Sequence, residues 1–253
     1  MAVYLQGVFW VLGAAIVAGV MAYLVRRIGA DDGVVENNEA AGQVFTIVGG
    51  LQAVLLAFVL IALFDAVATA QDGSYAEAEA VVATTWAADS LPGDVGDQVR
   101  AEATKYLTTV SAEEWPAMRE GREPGDAGWV ELDNLRRIID GAKTDDEWTT
   151  ARKTEAADQL WQVYQARETR LTTAQSSGVS TVVWFALIAG SIMTVALPLM
   201  FGGPRPLTHI LIVSILAGTL ALLLYATAQL QNPFSGGARV EPAAFESAAT
   251  RLR

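Results

Sequence analysis

The chain has 253 residues, a mean hydropathy of +0.32 and an apolar fraction of 52% against 18% charged residues, which is more apolar than a water-soluble domain of this length. That composition excludes a disordered chain and a fully soluble enzyme, and the net charge of -11 excludes nucleic acid as a partner because phosphate would repel it. With no cysteine and the single histidine His209, the sequence has no disulfide framework, thiolate site or histidine-rich metal set, and no cofactor or metal is expected.

Four windows without Asp, Glu, Lys or Arg hold the apolar excess: Val8 to Val25, Val44 to Phe64, Val179 to Phe201 and Leu207 to Leu230. At 1.5 Å per residue, each is long enough to cross a hydrocarbon layer of about 30 Å. The first predicted element is a helix over about 5–25. It reads as a retained span rather than a cleaved signal, because Met1 to Trp10 carries no charge and Arg26 and Arg27 follow the apolar run. A short acidic connection, Arg26 to Gln43, leads into a second helix over 44–64. Thr46, Gly49, Gly50 and Gln52 are its polar and small cluster, a composition that can line a water-filled path but also lets helices approach closely. Phe58, Leu60, Ile61 and Phe64 could form an apolar constriction that gates by dewetting, or simply face lipid or core. The candidate pore-lining residues are thus Thr46, Gly49, Gln52, Phe58 and Phe64.

Residues 65–178 form a polar insert that reads as helical. Ser74 to Ser90 is rich in Ala and Glu and can continue the second span without a break. Leu91-Pro92-Gly93-Asp94 interrupts it, with Asp94 as the N-cap of a helix through Val95, Val99, Ala103, Tyr106 and Leu107. Further helices are predicted for Asp126 to Asp140 and, after the capping box Thr144-Asp145-Asp146-Glu147, for Glu147 to Gln175. Trp86, Trp115, Trp129, Trp148 and Trp161 are available for the core of this bundle.

At 100° per residue, Leu160, Tyr164, Arg167 and Leu171 share one face, so Arg167 sits in an apolar stripe and needs a partner. If the helix after the second span runs antiparallel beside it, Glu77 and Arg167 lie at similar distances from the membrane edge. Glu77 or Glu79 is then the expected mate of Arg167 or Arg170, as a structural ion pair that fixes helix register or as part of an ion-binding site.

The third span, 179–201, carries Gly190 and Thr194 at the same small-xxx-small spacing as Ala15 and Gly19 in the first, and Pro198 near its end bends it. Gly202-Gly203-Pro204-Arg205-Pro206 makes the turn into the fourth span, 207–230, near whose start His209 is expected to bond the preceding turn. Residues 231–253 are a tail. The chain is therefore read as an all-α membrane protein, with a first transmembrane hairpin (1–64), the insert (65–178), a second hairpin (179–230) and the tail (231–253). No Walker sequence, GxSxG elbow or HExxH is present, and no enzyme is expected.

Ala166-Arg167-Glu168-Thr169-Arg170-Leu171 before a membrane hairpin, then Gln231-Asn232-Pro233-Phe234-Ser235-Gly236 with Val240, Pro242 and Phe245, resembles the bacterial bestrophin-like membrane proteins. Asn38 and Gly42 before the second span, and Leu91-Pro92, Arg100, Tyr106 and Glu114-Trp115-Pro116, agree with the resemblance over nearly the whole chain. Asn232, Pro233, Phe234 and Gly236 are its motif residues. The resemblance implies a four-span subunit of a homo-oligomeric ring, such as a pentamer, around a pore for anions. It also implies that the insert and both termini face the cytoplasm from a cell membrane. Phe58 and Phe64 are loosely comparable with the apolar-aromatic neck of bestrophins. Beyond the fourth span only Glu241 and Glu246 are acidic, so bestrophin calcium-binding clusters have no counterpart.

Charge bears on both implications. The insert side carries nearly all of the net -11, and a mouth of that sign repels chloride unless local arginines override it. Arg26, Arg27 and Arg205 in the short connections are balanced by Arg167, Arg170 and Arg239 near span ends on the other side, so the positive-inside rule does not set orientation. The leading expectation is an oligomeric ion channel with the second span lining the path, and the alternative is a non-conducting membrane scaffold or sensor whose insert binds a partner.

Overall fold

A computed structural model describes residues 2–28, 38–175, 178–199 and 206–253, and every regular element among these residues is helical. The helices are α1 (Ala2–Ile28), α2 (Asn38–Ala88), α3 (Val95–Thr109), α4 (Trp115–Arg119), α5 (Ala127–Gly141), α6 (Glu147–Gln175), α7 (Thr181–Leu199), α8 (Pro206–Gln229) and α9 (Ala243–Arg251). A π-helical turn, Val110–Glu114, joins α3 to α4. The middle of the acidic connection and the glycine-proline turn before Pro206 lie outside the described residues. The chain divides into two compact units, Met1–Phe64 with Ser177–Gln231 and Asp65–Ser176 with Asn232–Arg253.

In the first unit, four helices are long and apolar enough to cross a membrane. Helices suit this medium because all their backbone groups bond within the segment, where lipid offers no substitute for water. The N-terminal span finds its partner at the far end of the chain, as α1 and α8 pack antiparallel. The Tyr225 hydroxyl donates to the Val3 carbonyl at 2.6 Å, and a Cβ at Gly19 would fall 2.7 Å from Ser214 Oγ. Between them Ala15 faces Gly218, so the small residues of α1 serve close helix approach. Leu56 of α2, Leu187 of α7 and Leu220 of α8 form a second apolar contact. Pro198 is buried in the last turn of α7.

The second unit begins within α2, a single helix of 51 residues that runs through Gly73 without a break. It ends near Leu91-Pro92-Gly93, where Gly93 takes φ +75°, a backbone region that favours glycine. Two caps differ from expectation. Asp94 occupies the N-cap of α3, but its carboxylate accepts from the Gln98 side chain at 2.7 Å instead of from a backbone N–H. At α6 the cap is Asp146, whose Oδ1 accepts the Thr149 N–H at 2.8 Å; Glu147 is already the first helical residue, so the predicted Thr144–Glu147 box does not form. The core holds Tyr106, Leu107, Val110, Met118, Leu132, Leu135, Ile139, Leu160 and Val163. Each large apolar side chain buried there stabilises the unit by about 1.5–3 kcal/mol.

Of the five tryptophans expected in this core, Trp115 is fully buried and Trp129 half-buried, whereas Trp86, Trp148 and Trp161 are 61–65% exposed. The reason is helix phase. On α2 the buried positions around Trp86 are Val81, Val82, Thr84, Thr85, Ala87 and Ala88, whereas Ala83 and Trp86, three residues apart, share the less covered side. Trp148 lies in the first turn of α6, with the Arg152 guanidinium 4.8 Å from its ring centroid.

Candidate functional site

The second unit encloses a charge-balanced cluster. Arg167 and Arg170 of α6 are 0% and 4% exposed, Glu77 of α2 is 0% and Glu114 of the π turn is 2%. Arg170 donates through Nε to Glu77 Oε2 at 2.8 Å and through Nη2 to Glu77 Oε1 at 3.0 Å and Glu114 Oε2 at 2.9 Å. Arg167 Nη1 donates to Glu114 Oε2 at 2.7 Å, and its Nη2 lies 2.6 Å from Glu114 Oε1, an ion-pair distance off hydrogen-bond alignment. The Tyr106 hydroxyl donates to Glu77 Oε1 at 2.6 Å. The remaining faces of the guanidinium groups are covered by rings: Arg167 lies 4.5 Å over Trp129, and Arg170 lies 5.6 Å over Trp115 and 5.4 Å over Phe245.

Local structure puts these groups together. The π turn carries one extra residue per turn and presents Glu114 toward α6, and Gly128 at the start of α5 lets a backbone pass against the pair. A Cβ at Gly128 would fall 2.7 Å from Arg167 Cζ. Burial alone would lower both arginine pKa values, but the carboxylates override it: the Glu77 charge holds Arg170, and the Glu114 hydrogen bond Arg167, above the ordinary range. Burial first, and Glu77 second, push Tyr106 well above its usual value. Through these bonds the cluster ties α2, the π turn and α6 together.

Of the four residues expected to pair, Glu77 and Arg170 are joined directly. Arg167 pairs with Glu114, which the sequence reading did not place in the cluster, and Glu79 is exposed and takes part in no ion pair among the described residues. The signal for Glu114 was weak because it depends on the π turn, which shifts the helical phase.

Asn232, Pro233, Phe234 and Gly236 form the turn that closes this unit. Asn232 Nδ2 donates to the Ala174 carbonyl at 2.7 Å, and its Oδ1 accepts the Phe234 N–H at 2.8 Å. The Pro233 carbonyl accepts from Val240 N–H at 2.8 Å, and Gly236 takes φ +75°. Phe234 and Phe245, both 0% exposed, pack on Trp115 at centroid distances of 5.3 and 5.4 Å, and Trp115 Nε1 donates to the Val240 carbonyl at 3.1 Å. The motif thus fastens residues 232–253 over Trp115, itself against Arg170.

The five pore-lining candidates on α2 do not share one face. Gln52 is 5% exposed and turns toward α7 of the same chain, where Nε2 donates to the Leu187 carbonyl at 2.9 Å and to Ser191 Oγ at 3.0 Å. Gly190 has no side chain because the Gln52 carboxamide occupies that space, and Gly49 faces Thr194. Thr46 is exposed and its hydroxyl donates to the Gly42 carbonyl at 2.9 Å, while Phe58 and Phe64 are exposed on the uncovered part of the span. Among the described residues no group of three His, Asp or Glu could hold a metal ion.

These features define a helical protein with four spans of membrane-crossing length, whose second span belongs to a longer helix that also carries part of a buried ion cluster. The bestrophin-like domain family matches residues 12–245, and the chain belongs to that family. The fold is similar to the crystal structure of a bacterial bestrophin homologue from Klebsiella pneumoniae with a mutation, at a TM-score of 0.62 and 14% identity, covering 100% of this chain and 98% of that one. It is also similar to the crystal structure of a membrane protein at a TM-score of 0.64 and 13% identity, covering 100% and 97%. No curated protein matches the chain.

Proposed function

We propose that the protein is one subunit of a homo-oligomeric ion channel, with α2 lining the conduction path and the resemblance to bestrophins favouring five copies. The carrying observation is the asymmetry of α2 within the span. Gln52, Leu56 and Leu63 are buried against the chain's own helices, whereas Ile47, Leu51, Val54, Phe58 and Ile61 are 54–68% exposed. A ring of copies can bring such a face to a common axis, where Phe58 and its neighbours form an apolar constriction. Gln52 then has a packing role, and Thr46, Phe58 and Phe64 remain as the path-facing candidates. Anions are what family likeness favours, while the acidic balance of the chain works against them.

Currents from purified protein in planar bilayers test this reading. Ion-dependent current is expected, Phe58→Ala is expected to change its conductance, and the reversal potential in a salt gradient assigns the charge of the ion. No current at any voltage or pH, with particles imaged as monomers or dimers, would remove the channel from consideration. A second reading, a non-conducting scaffold or sensor, is favoured by the exposure of Trp86, Trp148 and Trp161 in the polar unit, where aromatic surface commonly marks a partner.

A further inference from the structure

Helix α2 carries no Lys, Arg or His in its 51 residues, and beyond the span its carboxylates Asp65, Asp72 and Glu79 are exposed. None of these three side chains makes an ion pair or hydrogen bond among the described residues. The remaining carboxylate of this stretch, Glu77, is the one drawn inward by Arg170. The three exposed acids recur every seventh residue, and the series begins inside the span, where Phe58, 68% exposed, stands seven residues before Asp65. Seven residues of an α-helix fall about 20° short of two turns, so Phe58, Asp65, Asp72 and Glu79 lie within about 60° on one face of α2.

Within one chain these carboxylates are about 10.5 Å apart along the helix, too far for any two to share an ion. Copies of the chain change that. The symmetry that brings Phe58 of each copy to a common axis brings Asp65, Asp72 and Glu79 toward it on the same helix face, each as a ring of like charges. Such a ring is tolerable only in water, and it draws cations in and turns anions away. We propose, resting on the reading of α2 as the path-lining helix, that Asp65 is the charge-selecting residue of the path. It is the first charged side chain beyond the apolar span, and Asp72 and Glu79 form further rings behind it. Every copy contributes one carboxylate to each ring, and the ion selected is a cation.

Full-length protein in planar bilayers under a gradient of potassium chloride reads the selectivity as a reversal potential. The wild type is expected to reverse toward the potassium equilibrium potential. Asp65→Asn is expected to lower the potassium-to-chloride permeability ratio about fivefold, the effect of five charges about 10 Å from an axis acting through water at physiological salt. Asp72→Asn is expected to act in the same direction, and it carries the test if Asp65→Asn fails to assemble. Asp97→Asn removes the same charge from an exposed position on α3 and is expected to leave the ratio unchanged. In this cysteine-free chain, Asp65→Cys modified with an anionic thiosulfonate should recover the wild-type ratio, and a cationic reagent should lower it further. Absence of wild-type current would overturn the path-lining reading and the rings together. Current that prefers chloride, or a ratio that Asp65→Asn and Asp72→Asn both leave unchanged, would overturn the rings alone.

Discussion

Arg167 and Arg170 place two guanidinium groups where water does not reach, and each is tolerated only because a carboxylate lies beside it. Arg167→Ala and Arg170→Ala leave Glu114 or Glu77 buried with less compensation, and each is expected to destabilise the protein by about 3–5 kcal/mol, read as a lower thermal unfolding midpoint in detergent. Unchanged midpoints in both variants would contradict the pairing. Glu131 offers a test of opposite sign. It is 3% exposed, accepts from the Thr109 hydroxyl at 2.8 Å, and burial raises its pKa above the usual carboxylate range. The folded state therefore holds the Glu131 proton more tightly than the unfolded chain. That contribution is complete below the ordinary carboxylate pKa of about 4.3 and is lost as pH rises through the folded value. Glu131→Gln keeps the acceptor without the charge, so its melting temperature should exceed that of the wild type increasingly from pH 4 to pH 8; a constant difference would refute the account.

Among the elements, α2 and α7 meet at Leu56 and Leu187 and through the hydrogen bonds of the Gln52 amide. Gly190→Ala pushes a methyl group into the Gln52 carboxamide and is expected to cost about 1–3 kcal/mol, whereas in a Gln52→Ala background the same change should cost little. Equal costs in both backgrounds, measured by thermal unfolding, would show that Gln52 is not the obstacle. Much about the elements was legible beforehand: uncharged apolar windows mark the spans because lipid admits little else, and the helical phase of α6 puts Arg167 inside. The cap at Asp146, the three outward tryptophans and Glu114 were not legible. Each depends on a phase set by a helix start or a π turn, and a shift of one residue rotates a side chain by about 100°.

For the whole molecule, orientation and conduction are decided by separate experiments. A cysteine introduced at Ser90, exposed and in an otherwise cysteine-free chain, should resist impermeant thiol reagents added to intact cells if the polar unit is cytoplasmic. Labelling from outside would reverse the topology. The Phe58→Ala conductance measurement tests α2 as the path independently of that result. Sequence alone determined the four spans, the helical insert and the family, because these follow from the local hydrophobic pattern and from motifs whose residues are near one another in the chain. Only the tertiary structure decided that α1 packs on α8, that Gln52 bonds to α7, and that residues 232–253 close over Trp115. Such contacts join residues more than a hundred positions apart, and their selection depends on which side chains fit together in space.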